Sequence, residues 1–350
     1  MKKILFFKKP LMINNLNKYF YLMLIFSTLI TINSSSWISA WMGMEINLLS
    51  FIPLLINKSK SSKNSISTMS YFIIQASSSS MMIMSIMLMK LENNLIKINL
   101  IMMILQFSLI LKIGASPFHW WLTKIINYIN WKNCFIILSW QKIAPLFMLM
   151  NTNTNMIIYM TMIFSSITGA ISGINQTSLK LIMTYSSINH LSWMMMALMI
   201  NHNLMIFYLL MYLINNLLIC LMLEKMNLNY LNQLFYNNKM MNKFIYMLMI
   251  TLFMSMAGIP PFVGFLPKLM ILTLMIKNFL WIESIIFIMT TLITLSFYMN
   301  PILSGLIINK INQKWNMMNN YYIQISYILL INFFLSTITL LFLMNNLWDY

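Results

Sequence analysis

Gly114-Ala-Ser-Pro117-Phe118-His119-Trp-Trp121-Leu122-Thr-Lys124 and Gly258-Ile-Pro260-Pro261-Phe262-Val-Gly-Phe265-Leu266-Pro-Lys268 decide the reading of this chain. They share the pattern G-x-x-P-F-x-x-(W/F)-L-x-K, and the second follows the first by 258 − 114 = 144 positions. Each lies inside a long apolar run, residues 96 to 122 and 244 to 276, in which a helix would otherwise continue. Proline lacks an N–H and collides with the carbonyl four residues back. The carbonyls of Ile113 and Ala257 are thereby released, and both helices are predicted to break at Gly114 and Pro117 and at Gly258, Pro260 and Pro261.

The surrounding composition makes such breaks expensive. Of 350 residues 60% are hydrophobic and 8% charged, where a soluble domain carries about 25% charged residues. One membrane crossing takes ~20 apolar residues. Apolar runs fall near residues 19 to 33, 37 to 56, 66 to 89, 96 to 122, 131 to 150, 156 to 175, 179 to 200, 203 to 223, 244 to 276, 280 to 307 and 323 to 344. The expectation is an all-α polytopic membrane protein of about eleven transmembrane helices. A basic flank, 1 to 18, precedes a single transmembrane domain, 19 to 344, and a short tail, 345 to 350, follows it. One longer polar loop, Glu224 to Lys243, separates the eighth and ninth spans. Backbone broken at membrane depth is tolerated only where protein or a wet cavity satisfies it, and paired interrupted helices usually mark an ion pathway. The competing reading is a pair of kinks that serves packing alone; the lysine beside each break counts against it.

The net charge of +17 comes from 22 lysines and no arginine. Nucleic-acid binders gather basic residues on a solvated face, whereas these lysines border apolar runs. They report topology instead, because basic residues concentrate in alternate loops. Sixteen (Lys2, Lys3, Lys8, Lys9, Lys18, Lys58, Lys60, Lys63, Lys124, Lys132, Lys180, Lys225, Lys239, Lys243, Lys310 and Lys314) fall on the side of the N-terminus, and three (Lys90, Lys97 and Lys277) on the other. That ratio assigns the N-terminus to the matrix side and the C-terminus to the intermembrane space. The compartment follows from codons: 40 methionines, one valine and no arginine indicate an AT-rich genome that reads ATA as methionine, as animal mitochondria do. A cleaved secretory leader at the basic N-terminus is the weaker alternative to an uncleaved first helix.

Lys112, Lys142 and Lys268 lie within spans, where topology does not explain them, and Glu45 is the one acid placed as deep. A charge at mid-membrane costs ~2.5 to 3.5 kcal/mol on insertion scales, so it normally has a partner or a function. A unit-charge pair ~4 Å apart is worth about 4 kcal/mol at an effective dielectric of 20, against ~2.3 kcal/mol for moving a charge through 100 mV. Making or breaking one buried pair is therefore of the right size to drive a proton step. Snorkelling to the interface is the competing account of these lysines. His119 and His190, with Ser186 and Ser187 in Tyr185-Ser-Ser-Ile-Asn-His190, form a possible polar relay or, equally, structural hydrogen bonds between helices. Cys134 and Cys220 lack metal-ligand spacing. No Rossmann fingerprint, phosphate loop, iron–sulfur or haem motif is present, and no metal site is expected.

Trp41-Met-Gly-Met-Glu45-Ile-Asn-Leu-Leu-Ser-Phe-Ile-Pro53, Lys112-Ile-Gly-Ala-Ser-Pro-Phe-His119, Trp140-Gln-Lys142-Ile-Ala-Pro, Tyr185-Ser-Ser-Ile-Asn-His190 and Gly258 to Lys268 together resemble the antiporter-like membrane subunits of respiratory complex I, in their insect-type form. The resemblance implies two inverted repeats, each with one broken helix. It also implies Glu45 and Lys112 as a charge pair coupling the subunit to its neighbour, Lys142 as the central protonatable lysine, and Lys268 as the lysine of the second break. It further implies proton translocation driven by NADH oxidation and ubiquinone reduction. NADH, FMN, iron–sulfur clusters and ubiquinone would be used by the parent complex, with no cofactor bound by this chain. The implied partners are other membrane subunits, antiporter-like, small core and accessory, together with phospholipids and no nucleic acid. Lys124 stands where such relatives often carry an acid or amide, and no role is carried over to it. The residues alone leave two rivals open: a stand-alone cation/proton antiporter, and a structural spacer whose lysines are relics.

Overall fold

Because lipid offers no hydrogen bonds, a backbone crossing it must satisfy its own N–H and C=O groups, which a helix does within one segment. A computed structural model describes residues 2–56, 62–92, 94–152, 156–237 and 243–308, all of whose regular elements are helical. The only β pairing among them is an isolated bridge between Ser178 and Tyr230. The span expected near 323 to 344 and the tail at 345 to 350 lie outside the described residues.

Seven of the described helices are long and apolar enough to cross a membrane: Trp37–Ile56, Ser65–Leu91, Ile96–Ile113, Trp131–Met150, Met156–Gly173, His202–Lys225 and Trp281–Leu303. Leu16–Ile32 and Leu248–Ala257 are shorter apolar helices. Leu179–Ile200 has the length, at 22 residues, but Thr184, Ser186, Ser187, Asn189, His190 and Ser192 lower its hydropathy. Those polar side chains are all buried in protein.

The chain divides into two compact units, Met1–Thr161 and Met162–Tyr350. In the first, helix α1 (Lys2–Ile32) packs on α2 (Trp37–Ile56), α2 on α3 (Ser62–Leu91), and α3 on α4 (Leu95–Ile113) and α5 (Trp120–Ile126). A rod made of α6 (Trp131–Phe135), a π turn (Ile136–Trp140) and α7 (Gln141–Met150) packs on α4 and α1. Helix α1 starts at Lys2 and runs unbroken into the first apolar stretch. Helix α8 (Met156–Gly173) spans the boundary.

In the second unit α9 (Leu179–Ile200) is buried along almost its whole length, and it packs on α10 (His202–Lys225) and α13 (Phe265–Lys277). Helices α12 (Lys243–Ala257) and α13 pack on α10 and on α14 (Trp281–Ile308). The polar stretch expected to be a loop from Glu224 to Lys243 contains a short helix, α11 (Leu231–Asn237), against α14. Two local features explain it: Leu234 is buried, and the Gln233 Oε1 accepts the N–H of Asn229 at 2.6 Å. Around it Leu179 N–H donates to Asn229 O at 2.9 Å and Leu231 N–H to Thr177 O at 3.0 Å.

Candidate functional site

Helix α4 ends at Ile113, and Gly114 takes φ 74° and ψ 36° while its N–H bonds to Ile110 O. This left-handed conformation costs a residue with a Cβ roughly 1 to 2 kcal/mol. The chain re-enters a helix at Trp120. Carbonyls just before the break find side-chain donors: Trp121 Nε1 donates to Leu111 O, and Gln75 Nε2, from α3, donates to Lys112 O, both at 3.2 Å. Protein donors thus satisfy two of the carbonyls left unpaired where α4 ends. His119 stands half-buried at the N-terminal end of α5 and makes no side-chain cap bond there.

Lys112 is in the last turn of α4, where helix carbonyls favour a cation. It is 7% exposed, and its Nζ lies 3.9 Å from Met44 Sδ. Lys142 follows the π turn, a feature that inserts an extra residue and re-aims what comes after it. Pro145 in α7 removes the N–H that Gln141 O would otherwise accept, and the Ser139 hydroxyl donates to Phe135 O. Lys142 is 2% exposed. Both lysines line one cavity, with Asn47, Tyr71, Gln75 and Gln141 as its other polar groups. Its cavity volume is about 20 Å³, and one water needs roughly 10 to 15 Å³. Gln141 Nε2 donates to Asn47 Oδ1 at 3.0 Å across its wall.

Glu45 sits on α2, half-buried, with Oε1 buried and without a hydrogen-bond partner. It is near enough to Lys112 to act on it electrostatically, yet the two form no ion pair. Lys97 and Glu92 do form an ion pair, at 3.3 Å and exposed.

In the second unit α12 ends at Ala257, Gly258 has φ 80°, and α13 starts at Phe265. Lys268 lies one turn into α13, 5% exposed, and its Nζ donates to Ala257 O at 2.9 Å and Met256 O at 3.4 Å. The carbonyl that Pro261 releases is the one this ammonium caps. Lys124, at the matching position of the first motif, is exposed and lies over the Trp120 ring, 5.3 Å from its centroid. In the first motif the buried cation therefore precedes the break, as Lys112, and in the second it follows.

Ser186, Ser187 and His190 are all buried on α9. His190 Nδ1 is 2.7 Å from the Tyr208 hydroxyl, and its ring centroid is 5.2 Å from that of Tyr212. The Ser186 and Ser187 hydroxyls also donate back to Met183 O and Thr184 O within the helix. Asn47, Tyr71, Gln75, Gln141 and Tyr208 were not singled out from the sequence. Gln141 had a local signal, its place beside Lys142; the others have none, because uncharged polar residues are common in these helices. Among the described residues no three His, Cys, Asp or Glu side chains come together as metal ligands.

Residues 34–294 match the family described as NADH:quinone oxidoreductase/Mrp antiporter, transmembrane. The chain belongs to this antiporter family. It is 43% identical over 324 residues to NADH-ubiquinone oxidoreductase chain 2 of Anopheles gambiae, covering 91% of this chain and 94% of that protein. The protein of the same name from Aedes aegypti is 42% identical over 309 residues, covering 87% and 90%. A chain of respiratory complex I from Thermus thermophilus shares the fold, with a TM-score of 0.81 at 16% identity over 93% of this chain and 78% of that one. For this antiporter-family member we expect Gln75→Leu to leave the Lys112 carbonyl unpaired and to cost about 1 to 3 kcal/mol. A lower midpoint of heat inactivation, with the variant still inserted in the membrane, is the readout.

Proposed function

We propose that this chain is the chain 2 subunit of a respiratory NADH:ubiquinone oxidoreductase, in which it moves protons across the mitochondrial inner membrane. The observation that carries the proposal is the pair Lys112 and Lys142 on the wall of one cavity with room for water, beside a broken helix. Two cations so placed repel each other, so a proton held by one raises the cost of a proton on the other. Water between them offers a path for transfer. Glu45, within electrostatic reach of Lys112, biases the first lysine, and a change in its own surroundings would be felt there. Lys268 serves the second broken helix, with Ser186, Ser187 and His190 as polar relay and His119 at the edge of the first break. Gly114, Pro117, Gly258, Pro260 and Pro261 keep the two interruptions open.

The redox chemistry belongs to other chains. Iron–sulfur clusters are held mostly by four cysteines at characteristic spacings, and this sequence has two cysteines, 86 positions apart at 134 and 220. NADH, FMN and ubiquinone are used by the parent complex, and the partners are its antiporter-like, small core and accessory subunits together with phospholipid. In this reading the chain has about eleven spans in one transmembrane domain, 19 to 344, arranged as two inverted repeats. Its flank at 1 to 18 faces the matrix, and its tail at 345 to 350 faces the intermembrane space.

The test has two arms. The chain should co-migrate with NADH dehydrogenase activity on a native gel, and Lys112→Met should lower the protons moved per electron pair in assembled complex that still oxidises NADH. Migration as a small particle without that activity would favour a stand-alone antiporter. Normal proton transfer in the variant would favour a structural spacer.

A further inference from the structure

We infer that Tyr208 is a positioning residue for His190: its hydroxyl holds the imidazole Nδ1 and leaves Nε2 as the atom that takes up and releases a proton. The inference rests on the proton-translocating function proposed above and adds a residue to it. His190 is 6% and Tyr208 2% exposed, and the 2.7 Å contact between Nδ1 and the hydroxyl joins α9 to α10. Tyr212, one turn further along α10, lies beside the imidazole with its ring tilted by 44°, and it meets Ser187.

The chemistry follows from what each atom can donate. Which ring nitrogen carries the proton is set by the bond the other one makes. With Nδ1–H donating to the Tyr208 oxygen, Nε2 keeps its lone pair in the neutral ring and gains the transferred proton in the cation. The Nδ1–H···O bond is the same in both states, so uptake and release need no ring flip. A phenol can donate as well as accept. Tyr208 can therefore accept from Nδ1–H while its own hydrogen points elsewhere.

The experiment is a double-mutant cycle in the assembled complex, measured in inner-membrane vesicles as protons moved per electron pair, with Y208F, H190Q and the double variant. If Tyr208 acts through His190, Y208F lowers the ratio, and the double variant falls no further than H190Q alone. Tyr208→Gln, whose amide oxygen can accept from Nδ1–H, should recover much of the loss. A wild-type ratio in Y208F, or losses that add in the double variant, overturns the inference. If Y208F does not assemble, Tyr208→Gln decides: a loss as large as that of H190Q overturns it, and a smaller loss supports it. Lys112→Met separates the two levels. A lowered ratio there with a normal one in Y208F sinks only the role of Tyr208, whereas normal transfer in both removes the proposed function as well.

Discussion

Complex carrying Lys142→Met should assemble in normal amount, oxidise NADH, and move fewer protons per electron pair than the wild type. Methionine has nearly the length and volume of lysine, so the packing around a side chain that is 2% exposed is kept. Insertion scales put the cost of a charge at mid-membrane at ~2.5 to 3.5 kcal/mol, so removing the ammonium relieves the fold of a burden. A structural lysine would show the reverse pattern, with assembly impaired and the pumping ratio of surviving complex unchanged. The measurement is acidification per NADH oxidised in sealed vesicles, normalised to assembled complex. An unchanged ratio would sink the central role of Lys142. Because Lys142 and Lys112 line the same cavity, the two methionine variants should not add: either alone removes one end of the same path.

Gly264→Ala should abolish accumulation of the folded chain, the largest stability effect we expect of any single methyl group here. A Cβ on Gly264 would lie 1.8 Å from Ser255 O and 2.9 Å from its carbonyl carbon. Both atoms belong to the backbone of the last turns of α12, so no side chain can swing aside. Overpacking typically costs about 1 to 3 kcal/mol where side chains can adjust, and here the start of α13 would have to leave α12. That separation would also pull Lys268 from the carbonyls of Met256 and Ala257, which it caps. Steady-state levels of the subunit after membrane extraction check the prediction, and a variant that accumulates normally would contradict it. Gly258→Ala should be milder. It adds left-handed strain at φ 80° and crowds the Lys268 Nζ at 2.9 Å, but the far end of that side chain can move, so partial assembly with lowered proton transfer is expected.

Much of this architecture is local and therefore visible in the residue order. Glycine at 114 and 258 and proline at 117 and 261 act on carbonyls within four positions, so the ends of α4 and α12 needed no tertiary information. The buried ammonium at Lys268 was equally legible, since a charge amid apolar residues has few alternatives to burial. The partners were not. Gln141 meets Asn47 across 94 residues of sequence, and Gln75 meets the Lys112 carbonyl across 37. Nothing in its local pattern distinguishes Gln75 from the many other polar residues of these helices, and the place of Gln141 beside Lys142 does not point to Asn47. Glu45 and Lys112, read as a pair, sit within electrostatic reach without touching. Contact depends on rotamers and on the separation of α2 from α4.

By itself the sequence determined that the chain is helical and belongs in lipid, where its helices break, and which charges are costly to bury. Each of these is a free-energy cost that a residue carries with it or imposes on near neighbours. Only the tertiary structure decided that Lys112 and Lys142 share a cavity, that Lys268 closes the wound left by Pro261, and that Tyr208 meets His190. Those outcomes come from the packing of distant helices, and the side chains that meet there are chemically ordinary until packing brings them within hydrogen-bonding distance.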